Sequence, residues 1–579
     1  MKPQGNVLIS MLLAFATIFL LNIELLEAEE FHVSTSADFL RALIDANDNG
    51  QDNTIFLSAG TYKASDNNHS FESFPRSSIA IRGETGTTPD DIILDLSNFD
   101  MFLDTYKDCA FVTVEGISFI NGSIEICTHS QAEISLSNNK LSGVYFIVNT
   151  YDNFKPNVNL MNNIIQENPC RRGVELTGVG NITLENNIIV RNRTGCSWGG
   201  GIFIEDSGNI SLTDNIIEEN KTNWSNCNCD GAKGTGGTYG GGGLWINKSG
   251  NVTLTNNTIR NNGAHYYGGG CHIRESGDII LMNNTITANS AVGWAGGIFS
   301  TSEACKLVNN IISGNVKSMS SGDANGACAV FGSAIHLINN TITKNNVSGE
   351  DGLRIYGRTV YMYNNIIWGN IGNDLYNECN TNDSTYAYNN IIGIISGLTF
   401  FMENENNVDE DPLLTDDYHL LPNSPCIDTG NNSTPELPSN DFEGDARIIG
   451  SSPDIGADEF NPSAPPITST TTVLDTTTTI PVDPATTTST SLLTSTTTIT
   501  SSQPCTASFL YGEHSNETEL LRCFRDNILG KSAEGQKLIK LYYQWTPLIV
   551  KMMEEDESFQ LEVKELMDVL LQFIKKEAD

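Results

Sequence analysis

Glu205, Asp206, His272, Arg274 and Glu275 are the side chains of this sequence best suited to proton transfer and charge neutralisation. A carboxylate or imidazole can take the proton α to a uronate carboxylate while a guanidinium or Ca²⁺ neutralises that carboxylate. Two carboxyls can instead flank a glycosidic bond for hydrolysis. Arg274-Glu275, expected one repeat away from Glu205-Asp206, could serve either chemistry, and a plain surface ion pair is the competing reading. Ca²⁺ is the only cofactor these reactions invite. No residue set is assigned to a metal, because Cys227-x-Cys229 has no His beside it.

A second set lies beside the first. With the repeating units of the sequence in register, one outward residue per unit forms a column that reads Glu175, Phe203, Trp245, His272, Phe299, a unit near Cys328, then Arg354. Phe203, Trp245 and Phe299 would make an apolar strip next to polar groups, and sugar rings stack their C–H faces on such aromatics. The insertion Lys221 to Tyr239 precedes Trp245 and could wall the strip, since insertions on a rigid repeat are where binding resides. Trp245 is expected to be exposed. The competing reading is that the loop covers these rings and they merely pack.

The register comes from Asn pairs that follow short alternating strands: Asn138-Asn139, Asn162-Asn163, Asn186-Asn187, Asn256-Asn257, Asn283-Asn284, Asn309-Asn310, Asn339-Asn340, Asn364-Asn365 and Asn389-Asn390, with Asp214-Asn215 as a variant. A basal period of about 24 residues with insertions is a solenoid signature. Each unit holds three short strand-like runs separated by turn residues, as in Ile202 to Ile204, Ile210 to Leu212 and Ile216-Ile217. Such units predict an all-β, right-handed parallel β-helix. Asn tolerates the left-handed backbone of a tight corner, and its amide can both donate and accept along a ladder. A second Asn recurs after each pair, from Asn168 to Asn370, and is expected at the next corner. The Gly runs serve close turns and not phosphate binding, since no helix follows them.

Before the coils, Asp38 to Asp45 is an amphipathic helical stretch followed by Thr54 to Leu57 and Gly60 to Tyr62, which together read as a cap. The run Asp52 to Tyr62 (DNTIFLSAGTY) and coils such as Val112 to Gly122 resemble the opening of the pectate-lyase-like right-handed β-helix superfamily. The stretches Asp411 to Leu414, Ser424 to Gly430, Asp441 to Arg447 and Asp454 to Phe460 are similar to the closing segment of bacterial surface proteins of the choice-of-anchor Q type. That superfamily includes polysaccharide-cleaving enzymes and non-enzymatic surface proteins. The N-T-D, D-D, G-H-G and R-I-K set of polygalacturonases and a pectate-lyase R-x-P-x-x-R segment are absent. The tail, with Cys505, Tyr511-Gly512, Leu520 to Arg522 and Phe524 to Asp526, resembles the CFI-box domains of exported proteins.

The expected organisation is a signal peptide over 1–28, an N-terminal cap with first strands over 29–95, the β-helix over 96–400 and its closing segment over 401–460. A Thr/Ser/Pro-rich linker over 461–504 and a small helical domain over 505–579 follow. An uncleaved N-terminal anchor is the alternative to the signal peptide, and no later segment could span a bilayer. The formal charge of −38, from 32 Lys+Arg against 70 Asp+Glu, excludes a general nucleic-acid binder. Export permits disulfides, and Cys170 with Cys196 is the preferred pair among 13 cysteines. The expected protein is a secreted or cell-surface monomer that binds an extended polysaccharide or cell-surface glycan, with polysaccharide lyase or glycoside hydrolase activity as the alternative.

Overall fold

The computed structural model describes residues 29–462 apart from short internal segments, of which 223–238 is the longest, and residues 510, 511, 553, 564 and 571 of the tail. The chain divides into two units, Leu25–Thr468 and a second made of Met1–Glu24 with Ser469–Asp579. The stretch 1–28 expected as a signal peptide, most of the Thr-rich stretch and nearly all of the segment expected as a helical domain lie outside the described residues. Within the tail, Lys564 Nζ lies 5.2 Å from the Tyr511 ring centroid.

The main unit is a right-handed β-helix of about 12 turns. Every register between its strands is parallel, as where Ile182–Glu185 pairs with Ile210–Thr213 and that strand with Val252–Thr255. Isoleucine, leucine and valine alternate with polar residues because alternate side chains face the two sides of a strand. Ile202, Ile204, Ile210, Leu212 and Ile217 accordingly sit in the core of one coil. A fourth, two-residue strand, such as Lys221–Thr222 or Gly263–Ala264, adds to the three read from sequence. Coils also begin before residue 96, since Glu29–Val33, Asn53–Leu57, Ile79–Gly83 and Phe111–Glu115 already stack in register.

The Asn pair does two different jobs. Its first member takes the left-handed conformation, with φ of 53° at Asn186 and 56° at Asn256, where a residue without an αL preference would be strained. Its second member is buried and builds a ladder. Asn257 Nδ2 donates to Asn284 Oδ1 at 3.0 Å and to Leu212 O at 2.9 Å, while Asn257 Oδ1 accepts from the backbone and side-chain N–H groups of Asn215. The later Asn forms a second ladder, Asn168 to Asn192 to Asn220 and on to Asn370. Both ladders bond carbonyls that the corners leave free, so buried polar groups are satisfied without water.

At the N-terminal end the helix Ser36–Asp48, capped by Thr35 accepting from Asp38 N at 3.2 Å, buries Phe39 and Leu43 over the first coils. The segment 401–462 folds back along the flank. Asn309 Nδ2 donates to Asn440 O, Asn339 Nδ2 to Asp454 O and Gly456 O, and Asn389 Nδ2 to Thr429 O. Its aspartates hold turns: Asp441 Oδ1 accepts from the backbone of Glu443, Gly444 and Asp445, and Asp454 from Asp428 and Phe460. Arg447 is buried there and donates to Gly456 O, Ala457 O and Asn309 Oδ1. Among the described residues no helix is long and apolar enough to cross a membrane.

Candidate functional site

Strand register builds the column expected from sequence: Glu175 pairs with Phe203, Phe203 with Trp245, Trp245 with His272 and His272 with Phe299. The coil left undefined near Cys328 contributes Ala329, after which come Arg354 and Tyr376. Phe203 and Trp245 stack at 4.4 Å and 12°. The expectation that Trp245 is exposed is corrected, because its side chain is 4% exposed, Phe203 6% and Phe299 8%. These rings point away from the solenoid core and are nonetheless covered.

The cover is a second row of aromatics. Trp198 lies 5.5 Å from Trp245 and 5.7 Å from His272, Tyr267 lies 5.2 Å from His272 and 5.1 Å from Phe299, and Trp294 lies 5.7 Å from Phe299. Tyr239 extends the row beside Trp198 at 6.0 Å. Each of these four rings is half-buried, so they present the outer face of the stack. Glycines make the fold-over possible. Gly241 has φ +70°, and a Cβ there would lie 2.6 Å from the Cβ of Trp245, so the chain crosses directly against the column. This row was legible in the sequence as an aromatic just before each Gly run, in Ser197-Trp198-Gly199, Thr238-Tyr239-Gly240, Tyr266-Tyr267-Gly268 and Gly293-Trp294-Ala295-Gly296. The runs were read only as turns. Most of the insertion expected to wall the strip, 223–238, lies outside the described residues.

Tyr267, His272, Arg274, Glu275, Trp294, Phe299 and Thr301 line a depression of about 260 Å³. It unites His272, Arg274 and Glu275 of the expected catalytic set with Phe299 of the expected binding set. Glu205 and Asp206 are elsewhere. Glu205 pairs in register with Asn247 and Asn247 with Arg274, so a whole coil separates the two charged pairs, correcting the expected single-coil spacing. The 42-residue step from Asn215 to Asn257 is a single coil, as the hydrogen bond between them shows. Glu205 accepts from Asn247 Nδ2 at 2.9 Å, and Asp206 is an exposed left-handed corner.

The remaining charges are paired. Arg274 and Glu275 form an ion pair on the rim, and that hydrogen bond holds the Glu275 carboxyl below its ordinary range. Glu175 bonds Arg172, whose guanidinium lies 4.0 Å over the Phe203 ring. Arg354 makes two bonds to Glu378, at 2.9 and 2.7 Å, and lies 4.9 Å over Tyr376. Burial, reinforced by Arg274, pushes the His272 imidazole down to about 3, so it is neutral.

Ligand atoms of His419, Glu443 and Asp458 lie within 4.8 Å of one another on the flank. His419 Nδ1 sits 2.9 Å from Asp458 Oδ1, and that bond lifts the imidazole to about 9, so the cluster is an ion pair around His⁺. Cys227 and Cys229 lie outside the described residues. Cys170 is disulfide-bonded, while Cys196, its expected partner, also lies outside them.

Residues 55–236 and 225–359 match the family model described as "right handed beta helix region". No curated protein matches the chain. Among solved structures it is similar to pectate lyase Pel9A, at 14% identity and TM-score 0.28, covering 75% of this chain and 97% of that one. It is also similar to a mannuronic acid specific polysaccharide family 6 lyase from human gut microbiota, at 10% identity and TM-score 0.30, covering 66% and 92%. A third, the Agl-KA catalytic domain, shares 14% identity at TM-score 0.27 and covers 64% of each chain.

Proposed function

This chain belongs to the right-handed β-helix family, and we propose that its aromatic flank binds an extended glycan. The observation that carries the reading is the half-buried row Trp198, Tyr239, Tyr267 and Trp294, braced from behind by the buried column Phe203, Trp245, His272 and Phe299. Tyr267 bridges in parallel to Trp294 one coil on, and Trp198, whose strand lies two coils before that of Tyr267, leans over to stack on Tyr267 at 6.5 Å and 13°, so the rings form one strip along the solenoid. A sugar chain laid along the axis would meet this strip of ring faces, and rigid backing means that little side-chain entropy is lost on binding.

On this reading the protein works outside the cell. The signal-like residues 1–28, the Thr-rich stretch 461–504 and the choice-of-anchor Q and CFI-box resemblances support display at a surface. The disulfide at Cys170 fits an oxidising compartment. Protease shaving of intact cells, followed by detection of the released β-helix, tests the location.

The binding test uses the purified full chain on a glycan array, with Trp294→Ala beside wild type. The variant should lose roughly tenfold or more in affinity while the far-UV spectrum stays that of the parent. Retained affinity in a folded variant, or no glycan bound by wild type, would reject the reading. Release of unsaturated or reducing sugars in the same samples would favour cleavage, in which case His272, Arg274 and Glu275 are the groups close enough to cooperate.

A further inference from the structure

The depression beneath the aromatic row contains an unusual group. His272 is 1% exposed, lines the cavity, and neither Nδ1 nor Nε2 has a hydrogen-bond partner among the described residues. Buried polar atoms are almost always bonded; Nδ1 packs against Gly240, so Nε2 is the orphan left for a ligand in the cavity to complete. The surroundings limit what that ligand can be. Burial keeps the imidazole neutral, so it offers one donor and one acceptor. Arg274, the cation at the rim, is already joined to Glu275. Trp294, Phe299 and Tyr267 supply apolar ring surface, and Thr301 a hydroxyl. At about 260 Å³, the space is smaller than the ~300–1,000 Å³ of drug-sized pockets and suits a single sugar ring.

We propose that this depression holds one uncharged sugar residue of the bound glycan, with a hydroxyl bonded to His272 Nε2 and its C–H face on Trp294. The inference rests on the glycan reading above and sharpens it. A uronate would bring its carboxylate to a depression whose lining cation, Arg274, is already joined to Glu275, with Lys248 outside the lining and the protein at net charge −38. An amino sugar's ammonium would meet Arg274. A hydroxyl both donates and accepts, so it complements Nε2 of a neutral imidazole in either tautomer. The same reasoning separates the site from a uronate lyase centre, because proton abstraction there needs a free cation on the carboxylate and a base that can take up the proton.

Titration calorimetry of the full chain decides the matter, with neutral oligosaccharides (gluco-, manno- and galacto-oligomers) in one arm and oligouronates in the other, each at low and high salt. The expected result is binding of a neutral oligomer whose affinity is insensitive to salt and flat between about pH 5 and pH 8. His272→Phe should weaken it by roughly tenfold or more, and His272→Gln, which keeps a donor and an acceptor, should recover most of the loss. Preference for uronates, with affinity falling as salt rises, would overturn this inference and leave the glycan reading standing. Failure to bind any saccharide would remove both. If His272→Phe does not fold, the selectivity of wild type between the two arms remains decisive.

Discussion

Replacing Trp245 with Ala tests whether the aromatic column is a support or a contact surface. The indole is 4% exposed, stacks on Phe203 at 4.4 Å and packs against Trp198 at 5.5 Å. Truncating so large a buried ring removes its transfer free energy and leaves a cavity, which together cost about 3–5 kcal/mol. Nothing is added for a lost hydrogen bond, because Nε1 has no partner among the described residues. Trp245→Phe therefore separates packing from polarity: it keeps most of the stack and removes a buried unsatisfied N–H, so it should stay within about 1.5 kcal/mol of wild type. A solenoid need not unfold in one step, so urea transitions should be read together with hydrogen exchange at Leu244, Ile246 and their neighbours in adjacent coils. A change below about 0.5 kcal/mol for the Ala variant, the size of an ordinary surface substitution, would show that the ring is exposed and refute the two-layer description. A Phe variant as unstable as the Ala variant would show that the indole N–H is bonded after all.

Other outcomes follow from the same geometry. Asn257→Ala should cost about 2–6 kcal/mol, since it strands Asn215 N and Leu212 O at about 1–3 kcal/mol each, whereas Asn256→Gly, at φ 56°, should be nearly neutral by urea denaturation. Burial lifts Asp454 to about 6 and Glu459 to about 7, the latter despite Arg447 at 3.9 Å. The folded state thus holds their protons more tightly than the unfolded chain, whose carboxyls titrate near 3.8 and 4.5. Their stabilisation is present in acid and lost as pH rises from about 4 through about 7. His419, raised to about 9 by Asp458, stabilises fully below 6.5 and loses its contribution as pH rises through about 9. Proteolysis of the segment 401–462 should therefore be slower at pH 5 than at pH 9, and equal rates would contradict these assignments.

How much of this could be read from the sequence depended on whether the residue in question repeats. Asn139, Asn163 and Asn187 announce their own spatial neighbours, because a parallel coil places the next copy of a residue directly above it. Register then followed for the column Phe203, Trp245, His272 and Phe299 without any knowledge of loops. Exposure did not follow. Whether an outward ring is covered depends on the chain just before its strand, and that segment is irregular in length. The Trp198-Gly199 and Tyr267-Gly268 steps carried the signal, but a Gly run names a turn without saying which way the residue before it will lean. The separation of Glu205 from Arg274 was missed for a related reason. The insertion after Lys221 makes the sequence distance a poor guide to how many coils intervene, and only the Asn215 to Asn257 bond shows that all of it belongs to one coil.

The functional reading rests on where repetition stops. Across most coils the ladders satisfy the two corners they occupy and the alternating strands fill the core, so these residues are explained by folding alone. His272 is not: one coil earlier its column holds Trp245, with one unpaired nitrogen of its own, and one coil later Phe299, but of the residues lining the depression His272 alone carries unpaired buried atoms. A polar side chain in such a position costs stability, and folding offers it nothing in return. That cost falls beside the depression edged by Arg274, Glu275 and Thr301, under rings that remain half-open to solvent. Stability surrendered next to an accessible cavity is expected of a binding site and not of packing. A His272→Phe variant that is more stable than wild type yet binds sugar less well would show both sides of that exchange in one protein.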